Sequence, residues 1–464
     1  MTQLVLGVPS SVLNVVQQGL MERAFHDGLY PQLLYRSEAV QEEWEANTGT
    51  EIFMTRPGLL PAITKPLQPG TDPQPQTVSY EQWVARLARY AGTIDTHMPT
   101  AAVANVNLFL RNIHQLGLQA GMSLNRIPRN ILHREYLSGH TNLIAATAAA
   151  DTAIRVASVN GFTDVVVKGT NVRPSLVSSN TPLSITIQSG ATAITRNVIG
   201  YDLDNPDDPF GPGTLMLSAA VGAIVAVRAP VLSSARPKII RSGGGLSVDA
   251  LGMSDVFQLQ DAIAATSYLR KNNVPPHEDG TYHAHISTDG NAQIFTDPII
   301  QRLNTSMPDG VFQDAFIGSI AGLSFFLNNE TPDASNSGPR TTTGTMAAYS
   351  EDIGAETTNE SGVGIGRILV TGRGALVEKY LDESNYVTEA GITGKVGDFQ
   401  VVNAGLEVQT EHVRLILRAP LNRLQDIVSS SWSITTAFAV PSDVVSGGPE
   451  RFKRAVIIEH ALSG

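Results

Sequence analysis

The stretch from Ser254 to Ile286, SDVFQLQDAIAATSYLRKNNVPPHEDGTYHAHI, decides how the rest of this chain is read, together with Gly318 to Leu327, GSIAGLSFFL. Ser254-Asp255 offers an N-cap ahead of Val256, Phe257, Leu259, Ile263 and Leu269, which recur at helical spacing. Asn272-Asn273-Val274-Pro275-Pro276 should end that helix, because proline lacks an amide donor and pushes its predecessor out of the helical region. A turn at Asp279-Gly280 leads into Thr281 to Ile286, an alternating strand that places Tyr282, Ala284 and Ile286 on one face. Asp297-Pro298 starts a second, short helix. Gly318 to Leu327 then reads as a turn feeding another strand.

Taken in order, Leu269, Arg270, Asn272, Asn273, Val274 and Pro275, then Gly280, Tyr282, Ala284 and Ile286, then Asp297, Gly318 and Gly322 resemble the major capsid proteins of tailed double-stranded DNA bacteriophages. These have the Hong Kong 97-like fold, and the nearest likeness is to the podovirus-like coat group. The resemblance implies an α+β chain. It would have a peripheral domain with a long spine helix and long strands, an axial domain, an N-terminal arm, an extended loop and a β-rich inserted region.

Working outward, residues 1–47 read as an arm and an amphipathic helix, with Glu38, Glu42, Glu43 and Glu45 crowded around Val40 and Trp44. Such a run is either a solvated acidic face or an arm laid on a neighbour through its aromatics. Residues 48–98 hold a strand at Glu51 to Thr55, six prolines from Pro57 to Pro75, and strands over 77–84 and 86–94. Proline forbids helix, so this is a long hairpin with little core of its own. It is either an ordinary surface hairpin or, as the resemblance implies, the extended loop that reaches over an adjacent subunit. Trp44, Arg56, Lys65, Trp83, Arg86 and Arg89 are the candidate subunit-contact residues. Rim charges of this kind set register and orientation more than affinity.

Residues 99–150 should be mostly helix, the spine of the peripheral domain, with a break or kink between Gly121 and Pro128 and a small-residue segment from Asn142 to Ala150. Residues 151–250 should be β-rich, with strands at 165–167, 183–187 and 223–227, a loop at 205–213 and an inserted subdomain. Residues 251–364 would, by the resemblance, be the axial domain, closing with a long mobile loop from Glu330 to Gly364. Residues 365–464 return to strands at 368–370, 399–402, 413–417, 432–438 and 455–458, completing the peripheral and axial domains.

Composition narrows the function. A chain of 464 residues exceeds what one core usually supports. The net charge of -11 argues against a main task of gripping phosphate backbones. The absence of cysteine removes disulfides, thiolate catalysis and cysteine metal sites. Met1 to Pro9 has no basic leader, and Leu215 to Val227 is too short and glycine-interrupted to span a bilayer, so a soluble cytosol-made protein is expected. Gly243-Gly244-Gly245 lacks the Lys-Ser/Thr of a phosphate loop, and Gly362, Gly364 and Gly366 precede a strand instead of a helix. His283 and His285 lie two apart on a strand, a spacing a metal can use, although a polar strand face accounts for them as well. Glu351, Asp352 and Glu356 fall in the mobile loop, a poor place for preorganised catalysis.

No catalytic, cofactor or metal residue is therefore expected. The resemblance implies a shell of pentamers and hexamers around double-stranded DNA, formed first as a procapsid, with a portal protein as a further partner and no membrane. About fifty residues precede the hairpin, so a separate scaffolding protein is expected. Lys65 is the one lysine in the loop and no carboxylate is seen to assist it, so a covalent lysine–asparagine crosslink is not expected. A decoration or tail protein is the alternative, which would explain 151–250 but not the helices of 99–150. An enzyme would need convergent titratable residues that the sequence does not offer.

Overall fold

Helix Leu259–Lys271 forms where the periodicity places one, but Ser254-Asp255 do not cap it. Gln258 is the N-cap, in a reciprocal capping box with Asp261, while Asp255 closes a turn by accepting the Gly252 amide at 2.9 Å. The helix stops at Asn272, and Asn273 takes φ 54°, a left-handed exit that asparagine tolerates. Strand Tyr282–Ile286 follows with Tyr282, Ala284 and Ile286 buried, as the alternation requires. Helix Thr288–Thr296, capped by the Ser287 hydroxyl, was not expected from the sequence; helix Pro298–Asn304 was, from its Asp297-Pro298 start.

The computed structural model describes residues 19–29, 33–45, 48–58, 60, 62–103, 108–167, 171–304, 319–333, 336, 340–341, 347–381, 392–396, 399–402, 405–410, 412–418, 424, 426–444 and 450–462. The first part of the expected arm, residues 30–32, Gly318 and parts of the 330–346 loop lie outside them. The chain divides into two compact units. One comprises Met1–Ile52, Val84–Arg129 and Leu376–Ala439; the other comprises Phe53–Trp83, Asn130–Ala375 and Val440–Gly464.

The first unit is built on an eight-stranded sheet whose centre is Ile427–Ala439, paired antiparallel with Ala88–His97, Val413–Arg418 and Leu376–Tyr380. Val413, Leu415 and Leu417 alternate inward and meet Val428, Trp432 and Ile434. Onto that face pack Met21, Phe25 and Leu29 of helix Leu20–Leu29 and Ile113, Leu116 and Leu124 of helix Leu108–Tyr136. The two helices approach through glycines: a Cβ on Gly117 would lie 2.4 Å from the Phe25 carbonyl oxygen. Gly117→Ala is expected to cost about 1–3 kcal/mol through overpacking, read as a lowered urea midpoint.

Two expectations fail in this unit. The acidic run is not helical: Ala39–Glu43 is an edge strand running parallel to Leu376–Tyr380. Tertiary pairing wins over local propensity there. Arg36 and Glu378, both buried, pair at 2.9 Å, Lys379 meets Glu42 at 3.1 Å, and the Trp44 amide donates to the Tyr380 carbonyl at 2.7 Å. The long helix is also unbroken from Gly121 to Pro128, so the proline removes one backbone hydrogen bond without ending the helix.

The second unit holds two six-stranded sheets. One, ordered His140–Asn142, Pro230–Ser233, Leu183–Ser189, Thr192–Leu203, Gly213–Leu217 and Ala153–Val156, is antiparallel throughout. Leu183, Ile185, Ile187, Val198 and Leu215 form its core. Asn142 to Ala150 is thus a strand end followed by turns, not helix, and of 223–227 only Val225 bridges, to Thr147. The other sheet is ordered Ile239–Arg241, Ala455–Ala461, Ile365–Thr371, Tyr282–Ile286, Leu323–Leu327 and Ser319–Ile320. Ile365–Thr371 and Ala455–Ala461 are buried at every residue, so the apolar runs 368–370 and 455–458 legible in the sequence extend through buried Arg367, Glu459 and His460.

The described part of 347–364 is not a mobile loop. Tyr349, Ile353 and Val363 are buried, and the Asn359 side chain donates to the Leu251 carbonyl at 2.8 Å. Glu356 is buried as well and paired with Arg228. Hydrogen bonding replaces apolar content as the means of order here.

His460 lies fully buried beside Phe257, with its Nδ1 3.2 Å from the Ala461 carbonyl oxygen. Burial drives its pKa down to about 4. The unfolded histidine titrates near 6.5, so between those values the unfolded chain binds the extra proton. Stability should therefore fall as pH drops through that window, by about 2 kcal/mol at pH ~5 from this group. Urea midpoints at pH ~7.5 and ~5 test this, and His460→Gln should remove about that share of the difference and leave the part due to His140. Among the described residues no helix is long and apolar enough to cross a membrane.

Candidate subunit interface

Strands Glu51–Pro57 and Tyr80–Arg86 are neighbours in a four-stranded sheet, continued by Asn171–Leu176 and Asp164–Val167. Tyr80 and Glu81 pair in parallel with 171–172. Between the two strands the chain leaves the sheet. The Gly58 amide donates to the Ser79 carbonyl at 2.8 Å and closes the neck. Beyond it, 62–77 carry no regular structure and every residue is exposed. The prolines explain both facts: they deny helix, and they withhold amide donors from any ladder. Leu60, Ile63 and Leu67 are 51%, 76% and 59% exposed on this ribbon, apolar groups that nothing in their own unit covers.

The base of the ribbon is held firmly. Arg56 pairs with Asp443 at 2.5 Å, and its guanidinium sits 5.3 Å over the Trp83 ring. Arg454 reaches the same Asp443 oxygen at 3.1 Å and donates to the Arg373 carbonyl at 2.7 Å. The Asp443 amide donates to the buried Glu81 carboxylate at 3.2 Å. Burial lowers the Arg56 pKa, and Asp443 opposes that shift. Arg173 stacks 5.5 Å from the Phe53 ring and donates to Gln82.

The six sequence-derived contact residues separate accordingly. Lys65, Arg86 and Arg89 are exposed, with Arg86 bound only loosely to Glu51 at 2.8 Å between two solvated side chains. Trp44 and Trp83 are 3% and 7% exposed, so each is buried within the chain. Arg56 is mostly committed to Asp443. Sequence reasoning missed Glu81, Asp443 and Arg454, because Asp443 lies hundreds of positions from Arg56 and no local pattern links them. His283 and His285 do share a strand face, and both rings meet Phe326, at 4.8 and 5.9 Å between centroids, but only His285 is buried. His283 meets Asp279 at 3.2 Å and stacks on His277, while His285 lies against Phe326.

No protein-family model matches the sequence, and no curated protein matches it either. Among solved structures the chain is similar to the capsid of cyanophage Pam1, at 8% identity and TM-score 0.48, over 92% of this chain and 90% of that one. It is similar also to the capsid of cyanophage P-SCSP1u, at 10% identity and TM-score 0.45, over 92% and 88%. The capsid of Ralstonia phage GP4 is similar at 9% identity and TM-score 0.45, over 92% and 88%.

Proposed function

We propose that this chain is the major capsid protein of a tailed double-stranded DNA bacteriophage, a Hong Kong 97-like coat subunit whose work is assembly and not catalysis. One observation carries the proposal: a proline-stiffened ribbon fixed at its base by Arg56, Trp83, Asp443 and Arg454, with exposed apolar side chains beyond the neck. An isolated subunit gains nothing from holding Leu60, Ile63 and Leu67 in water on a segment that forms no ladder. A neighbouring copy that covers them does gain, and repetition around closed symmetry multiplies the effect. Proline also reduces the entropy lost when the ribbon docks.

The partners of such a subunit are further copies in pentamers and hexamers, a scaffolding protein, a portal protein and packaged DNA held without sequence specificity. Its place is the virion, after assembly in the host cytoplasm. The net charge of -11 suits a shell that encloses DNA without gripping it. Hydrogen exchange tests the ribbon directly. Amides of 62–77 should exchange rapidly in the dissociated chain and become protected in assembled particles. Equal exchange in both states would remove the ribbon from the interface.

A further inference from the structure

The second unit contains an open cleft of about 570 Å³ between the 234–246 segment and helix Leu259–Lys271. Its basic lining side chains are Arg236, Lys238 and Arg241, against the single carboxylate of Glu450 among the described lining residues. His140 also lines it, but its pKa is pushed down to about 3, mainly by burial and then by Arg241, so it adds no charge near neutrality. In a chain of net charge -11, this concavity has the opposite sign.

The three cations are not equivalent. Arg241 is buried and already used: its Nε donates to Glu459 at 2.8 Å and its Nη1 to the Leu246 carbonyl at 2.9 Å. Arg236 is half-buried and donates its Nη1 to the Ser233 carbonyl at 2.8 Å, which fixes the plane of the guanidinium. Its stem passes over Gly139, where a Cβ would lie 3.0 Å from the Arg236 Cβ. Lys238 is exposed at the mouth. Glu450 lines the same cleft, accepts from the Tyr268 hydroxyl at 2.9 Å and attracts Arg236, so a bound oxyanion shares Arg236 with it.

We propose that this cleft is a phosphate-binding site, with Arg236 as the oriented donor and Lys238 as the mobile charge at the rim. Phosphate is favoured because a held guanidinium presents parallel N–H groups to an oxyanion, while an ammonium supplies the remaining charge without strict geometry. The volume falls within the range of small-ligand sites. A free phosphate ion and a nucleic-acid backbone share this chemistry, so the experiment takes both.

Calorimetric titration of the full-length, unassembled chain with inorganic phosphate, and separately with a short DNA duplex, tests the site. Phosphate binding weakened about tenfold by Arg236→Gln and by Lys238→Gln, and unchanged by Lys271→Gln, supports it. If the duplex shows the same losses and each substitution lowers the salt slope by about one, the source is a nucleic-acid backbone. Lys238 is exposed, so its variant remains informative even if Arg236→Gln misfolds. Absence of binding to both probes, binding indifferent to both substitutions, or equal binding of chloride at matched ionic strength overturns the proposal. None of these outcomes bears on the coat-subunit proposal, which rests on the ribbon.

Discussion

A chain in which residues 59–78 are replaced by Asn-Gly is expected to fold with unchanged stability and to lose assembly entirely. The neck already brings Gly58 and Ser79 within one hydrogen bond, 2.8 Å, so a two-residue type I′ turn can close the hairpin there. All of 62–77 are exposed, so removing them takes no core with them. The urea midpoint should shift by no more than about 0.5 kcal/mol equivalent. Assembly should vanish because each subunit loses the apolar groups Leu60, Ile63 and Leu67 at every repeat of the contact. Sedimentation distinguishes the outcomes: dispersed chains for the shortened ribbon, large particles for the intact one. Retained assembly would show that the ribbon is an ordinary surface hairpin.

The second large effect lies in the interior of the second unit. Glu459 is buried and answers two arginines, Arg241 at 2.8 Å and Arg367 at 3.0 Å. Arg367 is itself fully buried and donates to the Glu356 carbonyl at 2.5 Å, and Glu356 pairs with Arg228, which also meets Asp249 at 2.5 Å. Burial pushes the Glu459 carboxyl up, but Arg241 and Arg367 outweigh it and hold its pKa below the ordinary value. Glu459→Ala would leave two guanidiniums, both buried, without their shared counter-charge. The expected loss is about 3–5 kcal/mol, visible as a collapsed urea midpoint or as loss of soluble protein. Glu459→Gln, which keeps acceptor geometry without charge, should lose less. Because the folded carboxyl sits below its unfolded value, its contribution is present above about pH 4.5 and lost as pH falls through the folded value.

Much of the fold was legible where local chemistry and tertiary packing agree. Helix 259–271 and strand 282–286 announce themselves by period, and the apolar runs 368–370 and 455–458 mark the centres of the buried strands 365–371 and 455–461, whose buried Arg367, Glu459 and His460 they do not show. The failures share a cause. Ala39–Glu43 carries two glutamates at helical propensity, yet the parallel partner Leu376–Tyr380 is supplied from the far end of the chain. The segment 347–364 is poor in large apolar residues, and composition cannot separate a solvated loop from one tied down by Thr357, Asn359 and Glu356. The hairpin was readable from its prolines. Its anchor was not, because Arg56 and Trp83 look like free contact residues until Asp443 and Arg454 are brought beside them by the fold.

Electron microscopy of the intact chain, expressed alone and with a scaffolding protein, tests the coat-subunit account most directly. Uniform closed shells or capsomer-sized rings are the predicted result. A well-behaved monomer or small oligomer that never assembles, with or without scaffold, would contradict it.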